Sequence, residues 1–289
     1  MAMEDKRMSI KEAVEQFVTD GCSLTFSSVA NREPCAACSE IIRQGRKQMT
    51  FITDSQSYTA ELLIAAGCIN KLEAAYVWGG VHGQAYMYRR AVEKGIPVPL
   101  EVEDYSNLGM SYRFMAGACG LPFMPIRTML GSDIIKENPK IKVINDPYGS
   151  GPIALVPAAQ PDVAFIHVQF ADKSGNAQIW GVGINDDLIA RAAQKVVITC
   201  EKIIPSSEIR KIPGMTAIQS YCVAGVVEVP FGSHPLGVAG FYWTDMPFRK
   251  ELQQMATSHE GIVEWLDKWV YGVKDHNEYV ELVGYDSAS

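Results

Sequence analysis

"DVAFIHVQFADKSGNAQIWG", residues 162–181, is the stretch whose reading decides the fold. Val163, Ala164, Phe165, Ile166, His167 and Val168 are almost all apolar or β-favouring, so the segment opens as a buried strand. It then breaks into Asp-Lys-Ser-Gly-Asn (172–176), a turn by composition. In an open α/β sheet, ligands sit in loops at the carboxyl ends of strands, so this polar, glycine-bearing loop is predicted to line a site.

Outward from that strand the same alternation recurs. Residues 9–19 read as a helix, with Ser9 and Glu12 spaced as a capping box and Gly21 as the stop. Short β-rich runs are expected at 22–28, 49–53, 71–78, 98–104, 151–157, 195–204 and 222–230. Helices are expected at 34–44, after Pro34, at 57–67, from Tyr86 onward, at 106–120 with Ser106 as cap, and at 186–194. The tail from Met246 to about residue 284 reads as mostly helical, with Trp265 and Trp269 one turn apart. Strands alternating with helices through short connections indicate a mainly parallel sheet covered on both faces, in a single domain over 1–289. No 20–50-residue repeat and no low-complexity segment interrupts it.

Composition narrows the function. With 47% hydrophobic and 20% charged residues the chain is an ordinary globular one. No apolar run approaches the ~20 residues of a membrane span. The start, "MAMEDKRMSIKEAVEQF" (1–17), lacks the apolar centre of a signal peptide, so the reading is a cytoplasmic protein with no membrane role. A net charge of -7 argues against a nucleic-acid surface but leaves room for a small anion held by backbone amides and one or two arginines. The seven cysteines are odd in number and lie mostly in apolar contexts, which reads as reduced core thiols. Cys35 and Cys38 form a C-x-x-C without a second ligand pair, and none of the five histidines pairs at ligand spacing, so no metal is expected.

Three features carry candidate chemistry, each with a structural alternative. "WGGVHG" (78–83) follows a strand and precedes a helix, so Gly79 and Gly80 either present amides to an anion or form a tight turn. The spacing is not that of a dinucleotide fingerprint, and "GSGP" (149–152) is not a phosphate loop. In "FSSVANREP" (26–34), Ser27, Ser28 and Arg32 either bind an acyl or carboxylate group or cap the next helix. Glu103 stands at a strand end in "EVEDY" (101–105), and Arg127 in "LPFMPIRT" (121–128) is either a buried ion-pair partner or a substrate clamp. Gly131 and Ser132 place a flexible, hydroxyl-bearing loop beside it. No G-x-S-x-G elbow is present, which counts against a hydrolase triad of the usual α/β type.

The segments "NREPCAACSEIIRQG" (31–45), "EDYSN" (103–107), "ACGLPFMPIRTMLGSD" (118–133), "VPAAQPDVAFIHVQFADKSGNAQIWG" (156–181), "VVITCEKIIPSSEIR" (196–210), "VVEVPFGSHPLG" (226–237) and "WLDKWVYGVKDHNEYVELVG" (265–284) share a further property. In this order they resemble the A subunit of family I CoA-transferases, most closely the glutaconate type. The resemblance implies a three-layer α/β/α fold of the kind shared by CoA-transferases and ribose-phosphate isomerases. It implies a partner, the homologous B subunit, in an (AB)2 heterotetramer with a cleft shared between the two. It implies acyl-CoA and a carboxylic acid as substrates, with coenzyme A arriving as a thioester and no permanently bound cofactor. The nucleophilic glutamate is expected on the B subunit, so no glutamate of this chain is assigned that role.

Arg127 departs from the glutaconate pattern. "LPFMPIR" is closer to relatives that do not transfer CoA, among them a hydrolase that opens a steroid-derived ring on CoA and a decarboxylase of a glutaconyl-type thioester. That resemblance implies that Glu103 and Arg127 act in the site. It keeps two alternatives open: part of a ring-opening hydrolase or decarboxylase, and a non-catalytic scaffold subunit. The substrate-binding set is then Ser27, Ser28, Arg32, Gly79, Gly80, Gly131 and Ser132.

Overall fold

In the computed structural model, which describes residues 4–27, 30–79, 83–149 and 151–285, strands and helices alternate along most of the chain. The strands are β1 (Ser23–Phe26), β2 (Met49–Gln56), β3 (Ile69–Val77), β4 (Glu101–Asp104), β5 (Phe123–Ile126), β6 (Lys142–Asn145), β7 (Pro152–Pro157), β8 (Val163–Ala171), β9 (Ala177–Gln178), β10 (Lys195–Ile203), β11 (Thr216–Ile218) and β12 (Gly225–Glu228).

β4, β3, β2, β1, β8, β10 and β12 lie side by side in that order, every neighbouring pair parallel. β8 runs through the middle and is buried along nearly its whole length, as its apolar composition requires of a strand covered on both faces. Its register against β1 is fixed at the amino edge. The Asp162 carboxylate accepts from the backbone N–H (2.8 Å) and hydroxyl (2.7 Å) of Ser23, while Asp162 N–H donates to Ser23 Oγ at 2.9 Å.

Helices cover both faces. On one side pack Ile10–Phe17, Cys35–Arg43, Thr59–Ala65, Tyr86–Lys94 and the three α-helices of the tail, around Phe26, Phe51, Phe165 and Trp265. On the other side pack Asn107–Ala118 and Asp186–Ala192, around Phe114, Ile166 and Ile198. The expected capping box forms: Glu12 N–H donates to Ser9 Oγ and the Glu12 carboxylate accepts from Ser9 N–H. Close approach explains Gly117, where a Cβ would stand 2.2 Å from the Ala159 carbonyl oxygen. The three-layer α/β/α arrangement inferred from the alternation is therefore the one observed.

Two parts of the architecture differ from the reading of the sequence. β5, β7 and β6 form a separate antiparallel sheet beyond the end of β4. β6 falls within a stretch that reads as polar because all four of its residues are exposed, so no alternation marks it. The Asp-Lys-Ser-Gly-Asn turn, moreover, is not an open ligand loop. The Asp172 carboxylate accepts from the N–H groups of Ser174 and Asn176 (3.0 Å each) and the Asn176 amide (2.9 Å), folding β8 back into antiparallel β9. Gly175 at φ +96° completes the turn against the Val223 side chain, which a Cβ would meet at 2.6 Å. The chain reaches open space only beyond β9.

Candidate active site

The strand order reverses between β1 and β8. From β1 the chain proceeds toward β2 on one side, and from β8 toward β10 on the other. The loops leaving the two carboxyl ends therefore diverge, and a crevice must open there, the usual seat of a ligand in open α/β sheets. A cavity of about 640 Å3 occupies this position. Its walls come from the loop after β1 (30–32), the segment after β9 (Trp180, Val182) and the hairpin 237–244 that follows β12.

The backbone here is under local strain: Ala30 (φ +60°) and Arg32 (φ +47°) both take the left-handed conformation. Such conformations persist only where surrounding contacts impose them. Arg32 supplies these contacts. Its N–H donates to the Gly237 carbonyl (3.1 Å), and its guanidinium donates to the carbonyls of His167 (2.8 Å) and Val182 (3.1 Å) and meets Asp186 at 3.3 Å. Arg32 thus ties all three walls together from behind. One residue on, the buried Glu33 carboxylate accepts from the N–H and hydroxyl groups of both Ser57 and Thr59, fixing the loop after β2.

A second brace lies beneath the hairpin. His167 Nε2 is 2.8 Å from Glu201 Oε1, and His167 Nδ1 is 3.0 Å from Thr199 Oγ1. The other partners of Glu201 are the Phe231 N–H (2.8 Å) and the Tyr242 hydroxyl, which donates at 2.6 Å. Burial, reinforced by the Glu201 carboxylate, raises the Tyr242 phenol well above its ordinary range, so it remains a donor. Gln169 joins the walls from the other side, donating to the Trp180 (3.1 Å) and Ala239 (3.2 Å) carbonyls and accepting from Trp180 N–H (3.0 Å). What faces the cavity is mostly aromatic and aliphatic. At the mouth Trp243 is 94% exposed and Val182 69% exposed.

The residues singled out from the sequence fall in several places. Ser27 is fully buried beside the crevice, with no partner for its hydroxyl among the described residues. Ser28 and Gly80 lie outside the described residues. Gly79 packs against backbone, where a Cβ would stand 2.5 Å from the Gly83 carbonyl oxygen. Arg127, at the end of β5, lines a different cavity of about 680 Å3, built mainly from apolar side chains of the small sheet. Its side chain is 61% exposed, with Asp146 3.9 Å away.

Glu103 lies in a third cavity and in an ion cluster. Lys71 and Lys140 both pair with it, and Lys140 reaches Glu73 at 3.5 Å, where Arg113 also binds at 2.6 Å. Burial pushes the Glu103 carboxyl up, but hydrogen bonds from Lys140 and Lys71 outweigh it and hold it below the usual range. Glu103 and Arg127 therefore line separate cavities, and the expected cooperation between them has no direct contact behind it. Gly131 (φ +85°) and Ser132 close a turn in which the Ser132 hydroxyl donates to Met129 O at 2.7 Å.

The sequence profile of the coenzyme A transferase family matches residues 7–228, most of the sheet and its helices. The chain belongs to the coenzyme A transferase family. Among family members, the A subunit of 3-oxoadipate CoA-transferase from Pseudomonas knackmussii is 36% identical over 275 residues, covering 94% of this chain and 96% of that one. The crystal structure of glutaconate CoA-transferase from Acidaminococcus fermentans superposes with a TM-score of 0.92 at 33% identity, covering 96% and 93% of the two chains. An uncharacterized protein of Archaeoglobus fulgidus is 41% identical over 285 residues, and there this CoA-transferase-family chain spans 98% of itself but 63% of its longer relative.

The cavity walls are what the sequence did not disclose. Hairpin 237–244 carries "GVAGFYWT", two glycines enclosing no alternation but followed by three aromatics. Gly237 is required because a Cβ would lie 2.9 Å from Thr244 N, and Gly240 because of its φ of +86° over the Trp180 ring. That glycine spacing beside clustered aromatics was the available signal.

Proposed function

We propose that this chain is the A subunit of an acyl-CoA:carboxylate CoA-transferase, working with a homologous B subunit in an (AB)2 assembly. The observation that carries the reading is the switch-point cavity, braced from below by Arg32 and Glu201 and opening through the exposed Trp243 and Val182. An apolar rim of this kind is a half-cleft that a second subunit completes. The two transferase relatives support the same pairing, since one is named for one subunit of two and the other shares nearly the whole fold.

In this reading the B subunit supplies a glutamate. Its carboxylate attacks the thioester carbonyl, releasing CoA thiolate and leaving an acyl–glutamyl anhydride. The thiolate then attacks the glutamyl carbonyl, freeing the first acid and forming a glutamyl-CoA thioester, which the acceptor acid resolves by the reverse sequence. This chain's part is to seat the acyl group, exclude water and hold the walls rigid. Arg127 is assigned to a substrate carboxylate, because a half-exposed guanidinium over an apolar cavity has a planar fork to offer.

The test is to co-express both subunits, load them with acyl-CoA and treat with borohydride. A transferase gives a reduced glutamate on the partner, no modification of this chain, and ping-pong kinetics with an acceptor acid. Release of free CoA or carbon dioxide without an acceptor, and without an adduct, would replace this reading with the hydrolase or decarboxylase alternative. An adduct on this chain would overturn the division of roles.

A further inference from the structure

The chemistry of the switch-point cavity restricts what it accepts. Among the described residues its one cationic lining side chain is Arg32, whose guanidinium is buried and held by the His167 and Val182 carbonyls and by Asp186. Tyr242 presents its ring to the cavity while its hydroxyl turns inward to Glu201. The Thr244 hydroxyl accepts from the Gly237 N–H at 3.1 Å. The remaining large lining groups are Trp180, Val182, Phe241 and Trp243. Phe170 stacks edge-on behind Trp180 at 4.9 Å and lies 5.5 Å from Phe241, so this aromatic wall is packed from behind.

A ligand carboxylate entering here would lose water and gain no unengaged cation from the described wall, a costly transfer. A flat or branched apolar group would gain contact with aromatic faces on two sides. We infer that this cavity selects an acyl group with an apolar, aromatic or branched body, and disfavours one that ends in a second carboxylate. The inference rests on the transferase reading, because it treats the ligand as the acyl part of a CoA thioester. The adenine of CoA is the other flat apolar ring available to such a cavity, and the test separates the two.

The test is calorimetric titration of the co-expressed complex with phenylacetate, glutarate and adenosine monophosphate, none of which reacts without a thioester. Phenylacetate is expected to bind at least about 10-fold more tightly than glutarate, the scale set by stranding one charge in an apolar wall. Val182→Asp, at an exposed rim position that places no demand on folding, should cut phenylacetate affinity at least about 5-fold and leave glutarate unimproved or slightly weaker. Equal or tighter glutarate binding would overturn the inference, and so would stronger binding of adenosine monophosphate that displaces phenylacetate. If the complex transfers CoA from glutaryl-CoA efficiently and ignores phenylacetate, the inference fails and the transferase reading stands. If phenylacetate binds as expected and no thioester supports transfer, the reverse holds.

Discussion

Arg32 and Asp186 meet at 3.3 Å with both side chains almost wholly buried, joining the loop after β1 to the start of the helix Asp186–Ala192 across the switch point. The pair has little solvent to screen it, and Asp186 also accepts from Ile184 N–H at 2.9 Å. Removing one partner leaves the other charge stranded. Arg32→Met should therefore cost about 3–5 kcal/mol, and Asp186→Asn less, because the amide still accepts from Ile184. In a double-mutant cycle by urea unfolding the two changes should couple by at least about 1 kcal/mol. Strict additivity would show that the pair does not organise the crevice.

Tyr242→Phe isolates the second brace. The ring stays on the cavity wall, but Glu201 loses its 2.6 Å donor and Ser233 N–H its 3.1 Å acceptor. Leaving such groups unpaired in a buried site costs about 1–3 kcal/mol. Amide exchange should accelerate in 237–244 while the helix Cys35–Arg43 keeps its protection. Unchanged exchange in the hairpin would mean that the 238–242 backbone bridge alone fixes it.

These two networks mark the limit of what was legible. The parallel sheet could be read because β8 and β10 are apolar along nearly their full length and the helices carry their own stop signals, such as Gly67 and Gly95. Arg32 could be placed near the site, but not its orientation, because its partners His167, Val182 and Asp186 lie more than 130 residues away. His167 and Glu201 are likewise 34 residues apart on paired strands, a relation that exists only once β8 and β10 are in register. Glu103 and Arg127 read as neighbours in function. The small antiparallel sheet, invisible as alternation, instead gives Arg127 a cavity separate from that of Glu103.

Glu61 gives the fold a pH dependence. Burial pushes its carboxyl up to about 7, although the N–H groups of Tyr88 (2.6 Å) and Met87 (3.4 Å) oppose the shift. The folded state thus holds a proton that the unfolded chain, near the ordinary value of 4.5, releases earlier. The resulting stability is present in full below pH 4.5 and is lost as pH rises through about 7, on the order of 3 kcal/mol. Glu61→Gln keeps an acceptor for Tyr88 and cannot ionise. Its urea midpoint should change less between pH 5 and pH 8 than that of the parent, and exceed it at pH 8. Parallel pH profiles for the two proteins would assign the dependence to other groups.

Arg127→Lys separates binding from architecture. The side chain is 61% exposed, and the 3.9 Å approach to Asp146 in that setting contributes little to folding. Lysine keeps the charge and the stem, so the melting temperature should move by no more than about 1–3 °C, the effect of about 0.5 kcal/mol in a chain of this size. What lysine lacks is the planar pair of donors that grips a carboxylate through two parallel hydrogen bonds. If Arg127 holds a substrate carboxylate in the transition state, kcat/KM of the assembled complex should fall about 30-fold, or about 2 kcal/mol. Glu103→Gln provides the contrast, because Glu103 is engaged by Lys71 and Lys140 in a different cavity. It should lower stability while leaving kcat/KM within a few-fold. Melting temperature and kcat/KM measured on the same preparations decide the matter: an unstable but fully active Arg127→Lys complex would return this arginine to a purely structural role.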